Sequence, residues 1–319
     1  MQTILLIGAG TMGKTHLRAY KKMKNVKVVG IVDIRGQGTL ELEKNDIAFF
    51  STVEEAIRAI KQVDVLDICL PTYLHQMYIQ KAALFVKNII CEKPLARNME
   101  EAEEIKKICQ QNNIKLFIGH VTRFFPEYER AKKLIDTKAI GNPGMIRTTR
   151  NGRFPTGWNH WYENVQNSGG VILDLLIHDF DFLCWCFGKV KRVYAKSLAG
   201  REFSKREYAL VTLRFDSGII AHVEGSWSHD SFYRKFEFAG DEGNFEYDSR
   251  DYSINIIEKE RTIGQNPLHD NPYERQLAHF MECIEKDIQP NITVEDAYEA
   301  LKVALAALHS IETKQAIIL

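Results

Sequence analysis

Asp174 and His178 stand four residues apart in Gly169-Gly170-Val171-Ile172-Leu173-Asp174-Leu175-Leu176-Ile177-His178-Asp179-Phe180-Asp181. In a helix the two side chains share a face, with Asp181 one turn further on. Two titratable groups on one face can be put to chemical use. The same spacing also suits a polar pair satisfied inside a core, since a titratable stripe on an apolar helix must be paired or used. Ser168 reads as the N-cap of that helix, and Ile172, Leu176, Phe180, Leu183 and Phe187 as its buried face. A further candidate is Lys93 in Glu92-Lys93-Pro94. A lysine at a strand end supplies a fixed cation where an alkoxide develops, and Pro94 biases it away from helix. An ordinary exposed lysine is the other reading.

These groups need a scaffold, and the N-terminal third supplies one. An apolar run over 3–7 leads at once into Gly8-Ala9-Gly10-Thr11-Met12-Gly13, followed by a helix to about residue 24 and a strand over 26–32 ending in Asp33. This is the dinucleotide fingerprint in its structural context. The glycines allow a tight turn, close approach of a pyrophosphate, and helix–strand packing. The helix N-terminus offers N–H donors to the phosphates. Asp33 comes twenty residues after Gly13, where a carboxylate holds the ribose diol of NAD and repels a 2′-phosphate. Arg35 softens that preference, so NADP stays possible. Gly8, Gly10, Thr11, Met12, Gly13, Asp33, Ile34 and Arg35 are the cofactor candidates of this segment.

Strands over 49–50, 63–70, 88–91 and 115–119 alternate with helices over 52–60, 73–86 and 99–112. Such repeats build a doubly wound parallel sheet with ligands at the C-terminal strand ends. Leu70, Pro71, Thr72, His75, Glu92 and Lys93 therefore join the cofactor candidates, although His75 equally suits a helix surface.

The bulk numbers narrow the class. The chain has 319 residues, enough for two domains, and 45% hydrophobic residues, enough for sizeable cores. Lys plus Arg and Asp plus Glu are both 42, which argues against nucleic acid or an anionic membrane as the main partner. The six cysteines form no CxxC pair and sit in apolar surroundings, so reduced thiols and a cytoplasmic location are expected. No apolar stretch approaches a membrane span, and no leader is expected.

From residue 120 the character changes, giving domains 1–120 and 121–319. A helix over 123–136 and a strand over 144–150 precede a polar and aromatic loop over 151–162. Arg153, His160 and Tyr162 in that loop are substrate candidates, or parts of a packed aromatic cover. Strands over 191–198, 208–215, 219–227 and 232–239, with hairpin turns at 216–218 and 240–243, read as antiparallel sheet. Helices over 272–286 and 294–313 follow. His222 and Glu224 share one strand face with His229 beyond, which reads as a solvated or interface face, and no metal site is expected.

Three matches together resemble the Gfo/Idh/MocA family: Gly8 to Gly13, Glu92-Lys93-Pro94, and Gly169-Gly170 leading to Asp174 and His178. Pro71-Thr72 with His75, and Arg123-Phe124 with Pro126, are smaller matches. The resemblance implies an α/β protein, an N-terminal Rossmann domain plus a C-terminal α+β domain with a large, mostly antiparallel open sheet. It implies substrate binding between the domains, and oxidation of a secondary alcohol of a sugar, inositol or polyol, or the reverse reduction. It makes Lys93, Asp174 and His178 the catalytic set, with His178 the general base, and adds Arg123 to the substrate candidates. It also implies a homodimer or homotetramer through the C-terminal sheet. Two other readings stay open: a nucleotide-binding sensor without chemistry, and a redox-neutral sugar enzyme using NAD transiently.

Overall fold

The computed structural model describes residues 1–36, 47–199, 207–251, 253–258, 261–265 and 271–319. The apolar run at the N-terminus forms β1 (Gln2–Ile7), whose last four residues are buried, as a strand covered on both faces requires. α1 (Thr11–Lys22) buries His16, Leu17 and Tyr20 and ends in Lys21 and Lys22, cations suited to the negative end of its dipole. The alternation continues through β2 (Val26–Val32), β3 (Ala48–Phe50), α2 (Val53–Ala59), β4 (Val65–Ile68), α3 (His75–Ala82), β5 (Asn88–Glu92), α4 (Met99–Asn112) and β6 (Lys115–Gly119). Thr52 caps α2 by accepting the Glu55 N–H, and Asn98 caps α4 by accepting that of Glu101. The helix expected over 73–86 is shorter. Thr72–Leu74 is a 3₁₀ turn, and after Ala82 the chain tightens, with Leu84 and Phe85 bonding three residues back.

These strands form a six-stranded parallel sheet in the order β3-β2-β1-β4-β5-β6. The order reverses at β1, so the loops after β1 and β4 flank the switch point where open α/β sheets bind ligands.

The rest of the chain comprises α5 (Pro126–Asp136), β7 (Pro143–Arg153), α6 (Val165–Ser168), α7 (Ile177–Phe187), β8 (Val190–Ala199), β9 (Glu207–Phe215), β10 (Ile220–Ser226), β11 (Ser228–Gly240), β12 (Gly243–Asp248), β13 (Ser253–Glu258), β14 (Arg261–Gln265), α8 (Pro272–Lys286), α9 (Val294–Thr313) and β15 (Ile317–Ile318). α5 starts at Pro126 rather than at 123, because Phe125 before the proline is held extended. β7 runs to Arg153, so Asn151, Gly152 and Arg153 are strand rather than loop; Asn151 pairs with Ser226 and Arg153 with Ser228.

A nine-stranded sheet has the order β14-β13-β12-β11-β7-β10-β9-β8-β15. β7 and β10 run parallel and the other neighbours are antiparallel. One face packs against α5 and α7 through Tyr128, Phe182, Phe236, Phe238 and Phe245, with Tyr128 4.6 Å from Phe182 between ring centroids. Burying each ring contributes roughly 1.5–3 kcal/mol. The other face carries Tyr194, Leu198, Tyr208, Leu210 and Ile220 in one register, and all five are exposed.

The described residues divide into two compact units, Met1–Val121 with Asn271–Ala297, and Thr122–Asp270 with Tyr298–Leu319. The first unit thus takes in α8, from a stretch that the sequence reading placed in 121–319. Phe280 of α8 lies 5.3 Å from Phe117 of β6, and Lys22 of α1 meets Glu274 at 2.5 Å. All six cysteines are free thiols. Among the described residues no helix is long and apolar enough to cross a membrane.

Candidate functional site

In the first unit, Gly10 is the N-cap of α1, with no side-chain cap and no acid in the first turn. The N–H groups and the positive dipole end there suit an anion. A Cβ on Gly13 would lie 1.9 Å from the Gly8 carbonyl oxygen, so this close approach of helix to strand requires glycine. A Cβ on Gly10 would meet nothing within 4 Å, so the space before the loop is open. This cradle fits a dinucleotide pyrophosphate. Thr11 is exposed and Met12 half-buried beside it.

Asp33 is buried and accepts four hydrogen bonds: from Ala9 N–H at 2.8 Å, and from Arg35 through its backbone N at 2.9 Å, Nε at 2.8 Å and Nη2 at 2.6 Å. Burial opposes charge on the carboxyl, but the donors of Arg35 and Ala9 outweigh it and hold its pKa below the usual carboxylate range. Ile34 is 65% exposed, an apolar step between the two. Leu70 and Pro71 are half-buried and Thr72 is buried in the loop after β4.

Lys93 follows β5 and is half-buried. Glu92 turns inward: its Oε1 lies 3.1 Å from His16 Nε2, and its Oε2 accepts the Lys93 N–H at 3.3 Å. His75 is fully buried, and its ring nitrogens face the Pro94 carbonyl at 2.8 Å and the Leu70 carbonyl at 2.9 Å. Sequence reasoning left His75 equally as a cofactor contact or a helix-surface residue; the ring is buried, not on the surface, and faces backbone carbonyls.

In the second unit the helix expected from Ser168 onward is two pieces, preceded by α6. α6 ends at Ser168, Val171–Leu175 is a π turn closed by Leu176 N–H on the Val171 carbonyl, and α7 starts at Ile177. Ser168 therefore caps no long helix. The break lies at the two glycines. Gly170 has φ +62°, and a Cβ on it would sit 2.7 Å from Glu207 Oε2. The missing side chain lets Glu207 reach in and accept the Val171 N–H at 2.7 Å. Burial raises the Glu207 pKa, and the nearby charge of Asp174 adds to the rise.

Asp174 lies in the π turn and His178 in the first turn of α7, and both are half-buried. His178 Nδ1 is 3.2 Å from the buried Thr122 Oγ1. Asp181 leaves this polar face: it is fully buried and pairs with Arg123, Nε to Oδ2 at 3.0 Å and Nη2 to Oδ1 at 2.6 Å. Arg123, expected at the substrate, is 4% exposed, and its guanidinium lies 5.3 Å from the Trp185 ring centroid. Asp179 pairs with buried Arg150 through a single bond, Nε to Oδ2 at 2.6 Å, while Arg150 Nη2 reaches the Tyr128 hydroxyl at 3.0 Å.

The loop candidates separate. Arg153 is exposed and donates to the Asp230 carbonyl at 2.5 Å. His160 is exposed and meets Glu163 at 3.2 Å. Tyr162 is half-buried, its ring 3.9 Å from Trp161 and 6.2 Å from Trp227. His222 bonds Thr212 at 3.2 Å on the open sheet face. Among the described residues the grouping with three convergent metal-ligand types is His16, Asp67 and Cys69. His16 Nδ1 sits 2.8 Å from Asp67 Oδ2, a hydrogen bond, and an ion at about 2.0–2.3 Å from each ligand would spread the atoms further apart. Thr122, Glu207, His16 and Arg150 carry no motif, and sequence reasoning passed over them.

Two family models match. Residues 2–120 match the oxidoreductase family with an NAD-binding Rossmann fold, and residues 128–246 match the GFO/IDH/MocA C-terminal domain. The chain is 26% identical to the uncharacterized oxidoreductase YrbE of Bacillus subtilis, over 96% of this chain and 93% of that protein. It is 25% identical to myo-inositol 2-dehydrogenase of Thermotoga maritima, over 98% and 97%. The solved structure of levoglucosan dehydrogenase in complex with NADH and L-sorbose shares the fold, with a TM-score of 0.86 at 21% identity over 100% and 99% of the two chains.

Proposed function

The chain belongs to the Gfo/Idh/MocA oxidoreductase family, and we propose that it is an NAD-dependent dehydrogenase acting on a secondary alcohol of an inositol, sugar or related polyol. The observation that carries the reading is the half-buried Asp174–His178 pair, in a chain that also holds an open dinucleotide cradle. Both groups stay accessible to a ligand, whereas the neighbouring Asp179 and Asp181 are buried in ion pairs. Sequence similarity to an inositol dehydrogenase over nearly the whole chain supports the substrate class.

Bound NAD supplies the hydride acceptor. Gly8 to Gly13 with Leu70, Pro71 and Thr72 would hold it, and Asp33 would take the ribose hydroxyls. The Arg35 donors on the same carboxylate would compete with those hydroxyls. A 2′-phosphate would meet the Asp33 charge, which favours NAD. In the oxidation, the carbinol carbon gives up its hydrogen with the bonding pair, and the hydroxyl proton passes to His178 Nε2. For Nε2 to accept, Nδ1 must carry the other proton, so Thr122 Oγ1 accepts from Nδ1–H. That bond persists when the ring gains its second proton. The Lys93 ammonium opposes the negative charge growing on the alcohol oxygen. Asp174 accepts from a neighbouring hydroxyl and fixes the sugar ring. Tyr162, His160 and Arg153 remain candidates for the outer part of the substrate.

The exposed Tyr194, Leu198, Tyr208, Leu210 and Ile220 form a face suited to a second copy, so we extend the proposal to a homodimer or homotetramer. Six free thiols fit a reducing, cytoplasmic setting. The test is NADH absorbance with both cofactors over inositols, sugars and sugar acids. Turnover of at least one cyclitol or sugar, lost in Lys93→Ala and His178→Ala, supports the reading. Cofactor binding without turnover on the whole panel refutes it.

A further inference from the structure

We propose that His16 and His75 are positioning residues for Lys93, gripping the Glu92-Lys93-Pro94 turn from its two sides. The proposal rests on Lys93 acting at the reacting oxygen.

His16 projects from α1 and has no exposed surface. Its Nδ1 faces Asp67 Oδ2 at 2.8 Å and its Nε2 faces Glu92 Oε1 at 3.1 Å. Both partners are carboxylates, so both nitrogens donate and the ring is an imidazolium. Tyr20 donates to the same Asp67 oxygen at 2.8 Å, and Cys69 Sγ lies 3.3 Å from Nδ1. Burial works against the charge on the ring, but Asp67 outweighs it and holds the pKa well above the ordinary histidine value. Glu92 is thereby fixed at one oxygen, and its other oxygen receives the Lys93 N–H at 3.3 Å.

On the far side of Lys93, His75 meets the Pro94 carbonyl at 2.8 Å and the Leu70 carbonyl at 2.9 Å. Its one N–H in the neutral ring bonds one of these carbonyls, and the ring is wedged between the turn after β5 and the turn after β4. The backbone just before and just after Lys93 is therefore tied into the interior of the unit through buried imidazoles.

Stability alone does not call for this arrangement. A buried cation between two carboxylates carries a desolvation cost that an apolar residue of similar volume avoids. A fully bonded polar network instead defines position, since each partner has one satisfactory geometry. α1 also begins at the dinucleotide loop, so the His16 bond links the cofactor cradle to the turn that bears Lys93.

The test uses the full chain with His16→Gln, His75→Gln and Glu92→Gln, each alone and combined with Lys93→Ala. Folding is checked by circular dichroism and NAD affinity by fluorescence titration. Each single variant should lose about 10- to 100-fold in kcat, with NAD affinity and the KM of the alcohol little changed, because a small misplacement of a reacting group acts on the chemical step. The basic limb of the pH–rate profile should move in each. In the Lys93→Ala background the same changes should cost almost nothing more, because their effect passes through the lysine. Wild-type kcat in both histidine variants overturns the proposal, and so does an equal fold-loss with and without Lys93. If His16→Gln fails to fold, His75→Gln and Glu92→Gln decide the matter alone. Wild-type turnover in Lys93→Ala itself defeats the catalytic reading and this proposal with it. It is told apart from the other outcomes because that variant leaves both histidines in place.

Discussion

Around Lys93 the fixing contacts come from histidine rings, one reaching Glu92 and one reaching the Pro94 carbonyl. Around His178 they come from arginines, with Arg150 on Asp179 and Arg123 on Asp181, while Thr122 touches the ring itself. The difference follows from what each segment lacks. A strand-end turn has no hydrogen-bond ladder of its own, so its carbonyls and carboxylates must find partners singly. A compact ring with a nitrogen at each edge suits that. A helix turn already satisfies its backbone, and its rotation about the axis is what must be fixed. Asp179 and Asp181 leave α7 on different sides; the planar fork of Arg123 holds Asp181 through two nitrogens, and Arg150, itself fixed by Tyr128, holds Asp179 through Nε. Two clamps on different sides of the helix leave His178, which immediately precedes Asp179 in sequence, one angular position.

The largest effects should come from the groups being held. His178→Ala should lower kcat by about 10²–10⁴-fold, as loss of a positioned general base does. Lys93→Ala should cost about 10²–10³-fold by the same NADH assay. Equal and additive losses in the double variant would show that the two groups act independently rather than on one transition state.

Next comes the arginine clamp. Arg150→Met leaves Asp179 buried and uncompensated and should cost about 3–5 kcal/mol in urea unfolding. Adding Asp179→Leu should restore most of that loss while kcat stays low, because the helix is then stable but its rotation is no longer set. Recovery of both would reduce the pair to a stability element.

Smaller again is the contact on the ring. Thr122→Val keeps the shape and removes the acceptor, and should cost roughly tenfold in kcat, near the worth of one hydrogen bond to a group that becomes charged. Thr122→Ser should restore it. A Val variant with an unchanged pH–rate profile would mean that Nδ1 needs no partner there.

The smallest effect contrasts the two histidines, whose pKa values move in opposite directions. Asp67 raises that of His16, so its contribution to stability is complete below the unfolded value of about 6.5 and is lost as pH rises toward the native value. Burial lowers that of His75 despite the two carbonyls. Its contribution is present above about pH 6.5 and is lost as pH falls toward its native value. Urea unfolding at several pH values should show His16→Gln flattening the alkaline side and His75→Gln the acid side. The groups facing His16 are Asp67, Glu92, Tyr20 and Cys69, and those near His75 are Glu92 and Lys93. The same slope in both variants would mean that neither ring is the titrating group.

Much of the scaffold was legible because its signals are local. The spacing of Gly8, Gly10 and Gly13, the buried strands and the capped helices α2 and α4 are each set within a few residues. Asp33, Lys93, Asp174 and His178 could be picked out by their place at strand ends or by a short repeat. What escaped has partners far along the chain. His16 meets residues 51 and 76 positions away, Arg123 a residue 58 away, and Glu207 a backbone N–H 36 away. Helical periodicity also ran Asp174, His178 and Asp181 into one face. It could not register the break at Gly170, because a π turn there depends on a carboxylate arriving from another strand.

By itself the sequence determined the glycine-rich turn after the first strand, the acid after the second strand, and which residues are proposed to handle proton and charge. These rest on backbone conformations and spacings that a few neighbouring residues dictate. Only the tertiary structure decided that Asp181 and Arg123 belong to a clamp, that His75 faces backbone carbonyls, and that buried His16 anchors the turn at Lys93. A side chain's partner depends on which strands and helices are brought beside it, and no local pattern carries that information.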